Sequence, residues 1–190
     1  MNCPSCHSGA LVPGQLEEGL PCNTCGSCSG ALLPLSAYLD WLHAGAHHVS
    51  TATSFESTDS KLALLCPRCS RIMVKFKVLA DAAHNLDFCF GCEEVWLDRG
   101  EWDYLKSQGL HTHITGISTE SWQRRIREHL AHAIRTDKYR QELGEPVFAE
   151  ARRFKQWLQA QPQREEILRY LNAGEPAAPV PPLDEPPQGR

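Results

Sequence analysis

Two pairs of cysteines are the residues of this chain whose types and spacing best suit a chemical role. Each pair has the pattern C-x2-C, and nineteen residues separate the pairs, which are Cys66 with Cys69 and Cys89 with Cys92. Two intervening residues allow a tight turn that directs both sulfurs to one point, with backbone amides facing the negative thiolates. Four such thiolates form the closed tetrahedral ligand set of a structural zinc site. The spacing therefore predicts one bound Zn2+ and a zinc ribbon.

The residues between the pairs predict a hairpin that brings the cysteines together. Apolar side chains recur with the period of a half-buried strand at Ile72, Val74, Phe76 and Val78. A turn over 81–85 would then return the chain through 86–88 to the second pair. Pro67 favours the tight turn of the first pair, and Gly91 would permit a positive φ in the second.

A short helix is predicted directly after the second pair. Residues 95–97 are apolar and should pack on the hairpin. Asp98 and Glu101 have the three-residue spacing of a capping pair, which predicts that a helix begins here. That helix would direct Trp102 and Leu105 inward.

The stretch from Cys66 to Lys106 also resembles a known family. It contains CPRC, a second C-x2-C pair and the run VWLDRGEWDYL. Over about forty residues, these motifs are similar to the bacterial zinc-finger domain named for its likeness to the transcription factor IIB zinc ribbon. The resemblance implies a zinc-binding domain, usually in proteins of unassigned activity. The name alone does not imply a role in transcription.

Residues 1–42 repeat this stretch in degenerate form, with an offset of 63 to 64 residues. The corresponding cysteines are Cys3, Cys6, Cys25 and Cys28, which predict a second zinc site. Pro34 stands where Asp98 would cap, and Ala37 replaces Glu101. The first copy therefore lacks the signature, and its zinc site is predicted from the cysteines alone.

Cys22 leaves the ligand set of the first copy open. Both Cys22 with Cys25 and Cys25 with Cys28 have C-x2-C spacing. We favour Cys25 with Cys28, because only that register reproduces the repeat. Cys22 would then be a buried apolar residue, which is commoner for a cysteine than a reactive thiol.

Residues 43–60 are rich in small and polar side chains and are predicted to be a linker between the two ribbons. Six histidines, three in the linker and three elsewhere, are candidate metal ligands by residue type. They are disfavoured as ligands because both closed sites already have four. They are His7, His43, His47, His48, His111 and His113.

Two or three helices are predicted over 119–172. The first should run from Glu120 to Leu143 with Thr119 or Ser118 as its cap, the second should begin near Pro146, and the third should cover 163–171. We expect their apolar stripes to form core. The proline-rich tail over 173–190 is predicted to be disordered.

The predicted fold is thus small α+β. It comprises two zinc-ribbon, rubredoxin-like modules in tandem over 1–42 and 61–108, the helices, and the tail. Neither a secretion signal nor an apolar run of membrane-spanning length is predicted from the sequence, and its nine cysteines would then favour a reducing, cytoplasmic setting.

Charge bears on the choice of partner. The formal net charge is −4, and two four-thiolate zinc sites would make it about −8, which disfavours general binding to nucleic acid. Basic residues fall in the second ribbon and the first long helix, and six of them are candidate contacts with a partner or nucleic acid. They are Arg68, Arg71, Lys75, Lys77, Arg124 and Arg125.

Three functions are compatible with these features. The favoured one is a non-catalytic protein whose structural zinc ribbons form an interaction module for a protein partner, with transcription regulation as one setting. Nucleic-acid binding through the basic residues is the first alternative. The second is a dithiol redox protein that uses the C-x2-C pairs. No small-molecule substrate is expected, and the sequence leaves the oligomeric state open.

Overall fold

The computed structural model describes residues 1–45 and 62–174, which form a small α+β fold. The strands are β1 Leu11–Glu17, β2 Leu20–Cys25, β3 Ala31–Pro34, β4 Val74–Lys77, β5 Asn85–Cys89 and β6 Glu94–Leu97. The helices are α1 Leu35–Ala44, α2 Glu101–Ser107, α3 Ile114–Ile117, α4 Glu120–Leu143, α5 Glu145–Gln159 and α6 Arg164–Asn172. Most of the predicted linker (46–60) and tail (175–190), with His47 and His48, lies outside these ranges.

The two ribbons share one antiparallel sheet with the strand order β1-β2-β3-β6-β5-β4. Strand β3 of the first ribbon pairs with β6 of the second, with Ala31 opposite Leu97 and Leu33 opposite Val95. In the repeat, residue 31 corresponds to 95 and residue 33 to 97. Exchanging the two copies therefore leaves this pairing unchanged, which relates the ribbons by an approximate twofold axis. The repeat predicted the two ribbons but not the strand pairing between them.

Each face of the sheet carries its own buried cluster. On one face, which we call the helix face, Tyr38, Trp41 and Trp102 from α1 and α2 pack over Leu33 and Val95. On the other, the sulfur face, the buried cysteines of both ribbons surround an apolar group made of Leu11, Leu32, Leu64, Met73 and Trp96. Successive strand residues point to opposite faces, so the central strands are buried on both sides.

Strand β4 departs from the predicted burial. Ile72 and Val74 are 70% and 46% exposed, whereas Met73 between them is 2% exposed. Met73 lies on the sulfur face, where its amide also donates to the carbonyl of Leu64 at 2.8 Å. The expectation that the even-numbered residues form the buried face is wrong for Ile72, which precedes β4, and for Val74, which lies on β4 at the edge of the sheet.

The helices after the ribbons lie where they were predicted, but most of their apolar residues are not buried. Thr119 accepts a hydrogen bond from the amide of Trp122 at 3.4 Å and so caps α4. Among the described residues of α4, α5 and α6, Ile126 alone is buried. The expectation that the three stripes form core is therefore wrong for Ile134, Phe154 and Leu168, which are exposed. Residues 1–134 form one compact unit, and those from 135 onward form another.

Candidate metal centres

The second ribbon brings its four predicted ligands together. The sulfurs of Cys66, Cys69, Cys89 and Cys92 all lie within 4.8 Å of one another. The Sγ atoms of Cys69 and Cys89 are 3.6 Å apart. A tetrahedral ion with metal–sulfur bonds of about 2.3 Å separates its sulfurs by about 3.8 Å. The four side chains therefore fit a single tetrahedral ion.

The first ribbon forms an equivalent group. The sulfurs of Cys3, Cys6, Cys25 and Cys28 also lie within 4.8 Å of one another. The Sγ distances are 3.5 Å from Cys3 to Cys28 and 3.6 Å from Cys6 to Cys25. This degenerate copy, which lacks the signature, has thus kept the geometry of a four-sulfur site.

Cys22 lies outside both groups. It packs in the helix-face cluster with Leu20, whereas Cys25 belongs to the sulfur face. Because both lie on β2 three residues apart, the strand period places them on opposite faces. Burial raises the pKa of the Cys22 thiol to about 11, which makes it a poor ligand and a poor nucleophile. The structure thus brings together the set that contains Cys28.

A left-handed residue follows the second cysteine of every pair. The residues are His7, Ser29, Ser70 and Glu93, with φ of 57°, 61°, 59° and 54°. A positive φ at this position turns the chain back after each pair. Gly91, which would have permitted a positive φ in the second turn, is not at positive φ, and the left-handed residue there is Glu93. None of the four positions carries the glycine that this conformation favours.

Backbone amides face the sulfurs in both ribbons, as predicted. The amide of Ser8 is the main cause that lowers the pKa of Cys6 to about 6, and the amide of Arg71 lowers that of Cys69 to about 7. Burial instead raises the pKa of Cys3 and of Cys66. The second cysteine of the first pair, which is the same position of the repeat, therefore has a lowered thiol pKa in both ribbons.

The residues of the WLDRGE run serve the fold. The Trp96 indole donates to Asp98 Oδ1 at 2.8 Å, and Glu101 Oε2 accepts from the amide of Asp98 at 2.8 Å. The predicted capping pair is therefore confirmed for Glu101, which accepts from the amide of Asp98, and Asp98 also accepts from Trp96. Gly100, with φ of 79°, precedes the helix. The four buried acids of the described residues, Asp87, Glu94, Asp98 and Glu101, all lie in this ribbon.

Two contacts between the ribbons were not predicted from the sequence. The Trp96 ring covers Gly30 so closely that a β-carbon at Gly30 would lie 2.2 Å from it. Glu17 of the first ribbon accepts hydrogen bonds from Trp102 Nε1 at 2.9 Å and Lys106 Nζ at 2.7 Å. A glycine and an acid in the degenerate copy gave no local signal, because their partners lie more than sixty residues away in sequence.

The candidate contact residues of the second ribbon are mostly engaged within it. Arg68 Nε donates to Glu94 Oε1 at 3.0 Å, and Lys75 Nζ lies 2.7 Å from Asp87 Oδ2. Lys77 donates to the carbonyl of Ala82. Arg71 has no such partner among the described residues.

Of the two candidate arginines on α4, one has an acidic partner among the described residues and the other has none. Arg124 lies 3.9 Å from Glu128. Arg125 has no ion pair within 1–45 or 62–174. Among the residues that the structure describes, the six candidates therefore divide into four cations with a partner and two without one.

The chemistry of the described residues centres on sulfur. Cysteine, histidine and carboxylate side chains form two groups that could hold a metal ion, and both are the cysteine quartets.

Among the helices of 1–45 and 62–174, none has the length and apolar character needed to cross a bilayer. Comparisons with protein-family models, curated proteins and solved structures find no match to this chain.

Proposed function

We propose that this chain is a non-catalytic zinc protein whose two ribbons form one rigid interaction module for a protein partner. The observation that supports this most directly is the pair of closed four-sulfur groups on one sheet. A closed set holds a metal as a structural element. The zinc ions would then stabilise the fold, and the outer surface of the ribbons would bind the partner.

The ligand sets suit a structural zinc ion better than a catalytic one. Catalytic zinc usually has three protein ligands and one open position, often with histidine or carboxylate among the ligands. Both groups here contain four cysteines and no other residue type. Tetrahedral sulfur sites hold zinc or iron, and metal analysis of the purified protein separates these two.

Three observations favour a protein partner over nucleic acid. Arg68, Lys75 and Lys77 bind acceptors inside the second ribbon, so few basic side chains of that ribbon remain to contact phosphate. The four-thiolate sites add negative charge. Within the unit from 135 onward, apolar side chains are exposed on α5 and α6, as at Trp157 and Leu171. Exposed apolar faces of this kind are typical of protein contacts.

Metal stoichiometry tests the structural half of the proposal. Native mass spectrometry should find two zinc ions in the wild type and in Cys22→Ser. It should find one in Cys28→Ser, because that thiol completes the first quartet. Two zinc ions in Cys28→Ser, or one in Cys22→Ser, would contradict the assignment.

Affinity capture tests the binding half. The zinc-loaded full-length protein should retain one protein from a cell extract after nuclease treatment, and purified components should reproduce the complex. Retention should change little between low and moderate salt. Loss on nuclease treatment, with DNA or RNA binding that falls steeply with salt, would favour the nucleic-acid alternative instead.

A further inference from the structure

A cavity of about 350 Å3 lies within the unit of residues 1–134. One wall comes from the segment after β4, and the other comes from the first half of α4. The lining residues are Val78, Leu79, Ala80, Asp81, Trp122, Arg125, Ile126 and His129. We call this cavity the α4 groove.

Two hydrogen bonds fix the walls of the α4 groove to each other. Trp122 Nε1 donates to the carbonyl of Val78 at 3.0 Å. Gln123 Nε2 donates to the carbonyl of Lys77 at 2.8 Å and to that of Ile117 at 2.9 Å. The groove is therefore formed before any ligand binds, which lowers the entropic cost of binding.

The groove has an apolar floor and a charged rim. Val78 and Ile126 are buried, and Leu79 and Trp122 are half-buried. The volume is near the lower end of the range for ligand pockets. A cavity of this size suits one bulky apolar side chain better than a cofactor.

The charges of the rim differ on its two sides. Arg125 and His129 lie one turn apart on α4, and Asp81 lies on the opposite wall. The neighbouring Arg124 and Arg127 have acidic partners on the same helix, Glu128 and Glu120. Arg125 has no ion pair among the described residues and faces the groove. A carboxylate would therefore be favoured on the α4 side and disfavoured beside Asp81.

We propose that the α4 groove binds an acidic peptide segment of the protein partner, with one bulky apolar side chain in the cavity and an adjacent carboxylate on Arg125. This inference rests on the proposed function and names the surface and the partner chemistry. An apolar floor offers phosphate no contact, which disfavours a nucleic acid as the occupant. The charge asymmetry sets the direction of the peptide across the groove.

The test uses full-length, zinc-loaded protein labelled with 15N and two synthetic pentapeptides with capped ends. One has a central phenylalanine with two glutamates on one side and two serines on the other, and the second has lysines in place of the glutamates. The acidic peptide should shift the indole resonance of Trp122 in a saturable manner, and the lysine peptide should not. Ala80→Phe, which fills the cavity, should abolish the shift.

Charge reversal on α4 supplies the matched pair of variants. Arg125→Glu should weaken binding of the acidic peptide by about tenfold or more, the scale of one charge-assisted hydrogen bond. Arg124→Glu should leave the affinity within about twofold, because Arg124 does not line the groove. Both arginines are exposed on the helix surface, and a zinc content of two would show that each variant is folded.

Other outcomes distinguish failure of the groove assignment from failure of the proposed function. Equal binding of both peptides, equal loss in Arg124→Glu, or a Trp122 shift caused by an oligonucleotide would overturn the assignment of the groove. If the captured partner binds Arg125→Glu and Ala80→Phe as tightly as wild type, the groove assignment is wrong while the partner proposal stands. Failure of the zinc-loaded wild type to retain any protein contradicts the proposed function itself.

Discussion

The left-handed residues after each cysteine pair show how single positions set the geometry of the metal centres. The amide of Ser70 donates to the carbonyl of Cys66 at 2.8 Å, and the amide of Ser29 donates to that of Cys25 at the same distance. A positive φ costs residues with a β-carbon about 1 kcal/mol relative to glycine. Both turns therefore close at an energetic cost, which metal–sulfur bonds would offset if the quartets bind zinc as proposed.

Replacing one of these residues by glycine should stabilise the protein. Ser70→Gly should raise the free energy of unfolding of the zinc form by about 1 kcal/mol, measured by urea denaturation. Ser5→Gly is the control, because Ser5 lies inside a cysteine pair and is not at positive φ. That variant should be neutral or slightly destabilised. A gain of the same size in both variants would contradict the argument from φ.

The contact between Gly30 and Trp96 gives a second prediction for a single residue. Gly30→Ala would place a methyl group 2.2 Å from the buried indole, so the ring or the strand must move. We expect a loss of about 1–3 kcal/mol in the free energy of unfolding. Gly26→Ala, in the same cysteine loop but with nothing within 4 Å of its β-carbon, should change it by less than about 0.5 kcal/mol.

At the scale of elements, local patterns predicted more than long-range pairings. The bounds of α4 agree with the sequence prediction at both ends, because Thr119 caps it and Gly144, at positive φ, follows it. The pairing of β3 with β6 depends on contacts across more than sixty residues, which no local pattern encodes. Met73 is buried in the sulfur-face cluster, which contains residues of both ribbons.

The position of Cys22 could have been predicted from strand parity. A continuous strand directs residues 22 and 25 to opposite faces, so both cannot be ligands of one site unless the strand ends between them. The repeat gave the correct register without that argument.

The second ribbon contacts the first through a buried ion pair between Glu17 on β1 and Lys106 on α2. Glu17 and Lys106 have side chains that are 8% and 7% exposed, and Trp102 donates to the same Glu17 oxygen. Glu17→Ala should lower the free energy of unfolding by about 1–3 kcal/mol, because Trp102 Nε1 loses its acceptor and Lys106 loses one of its carboxylates while it keeps Asp103 at 2.9 Å. Glu18→Ala, at the exposed neighbouring residue, should have little effect. Similar losses in the two variants would contradict a specific role for the pair.

At the scale of the whole molecule, the shared sheet implies that the two metal centres depend on each other. The first amide of α1, at Leu35, donates to the carbonyl of Glu93 at 2.8 Å, so the turn after the second cysteine quartet holds a helix of the first ribbon. Trp96 follows the second site closely in sequence and covers Gly30 of the first ribbon. Unfolding of the second ribbon would therefore remove contacts that keep the first quartet in place.

Disruption of the second site should consequently weaken zinc binding at the first. Cys92→Ser leaves all four first-site cysteines unchanged. Because metal affinity includes the free energy of folding the site, we expect the first-site affinity for zinc to fall by about tenfold or more in competition with a chromophoric chelator. Cys22→Ser, which removes a thiol outside both quartets, is the control for loss of a cysteine. A wild-type affinity in Cys92→Ser would show that the ribbons fold independently despite their common sheet.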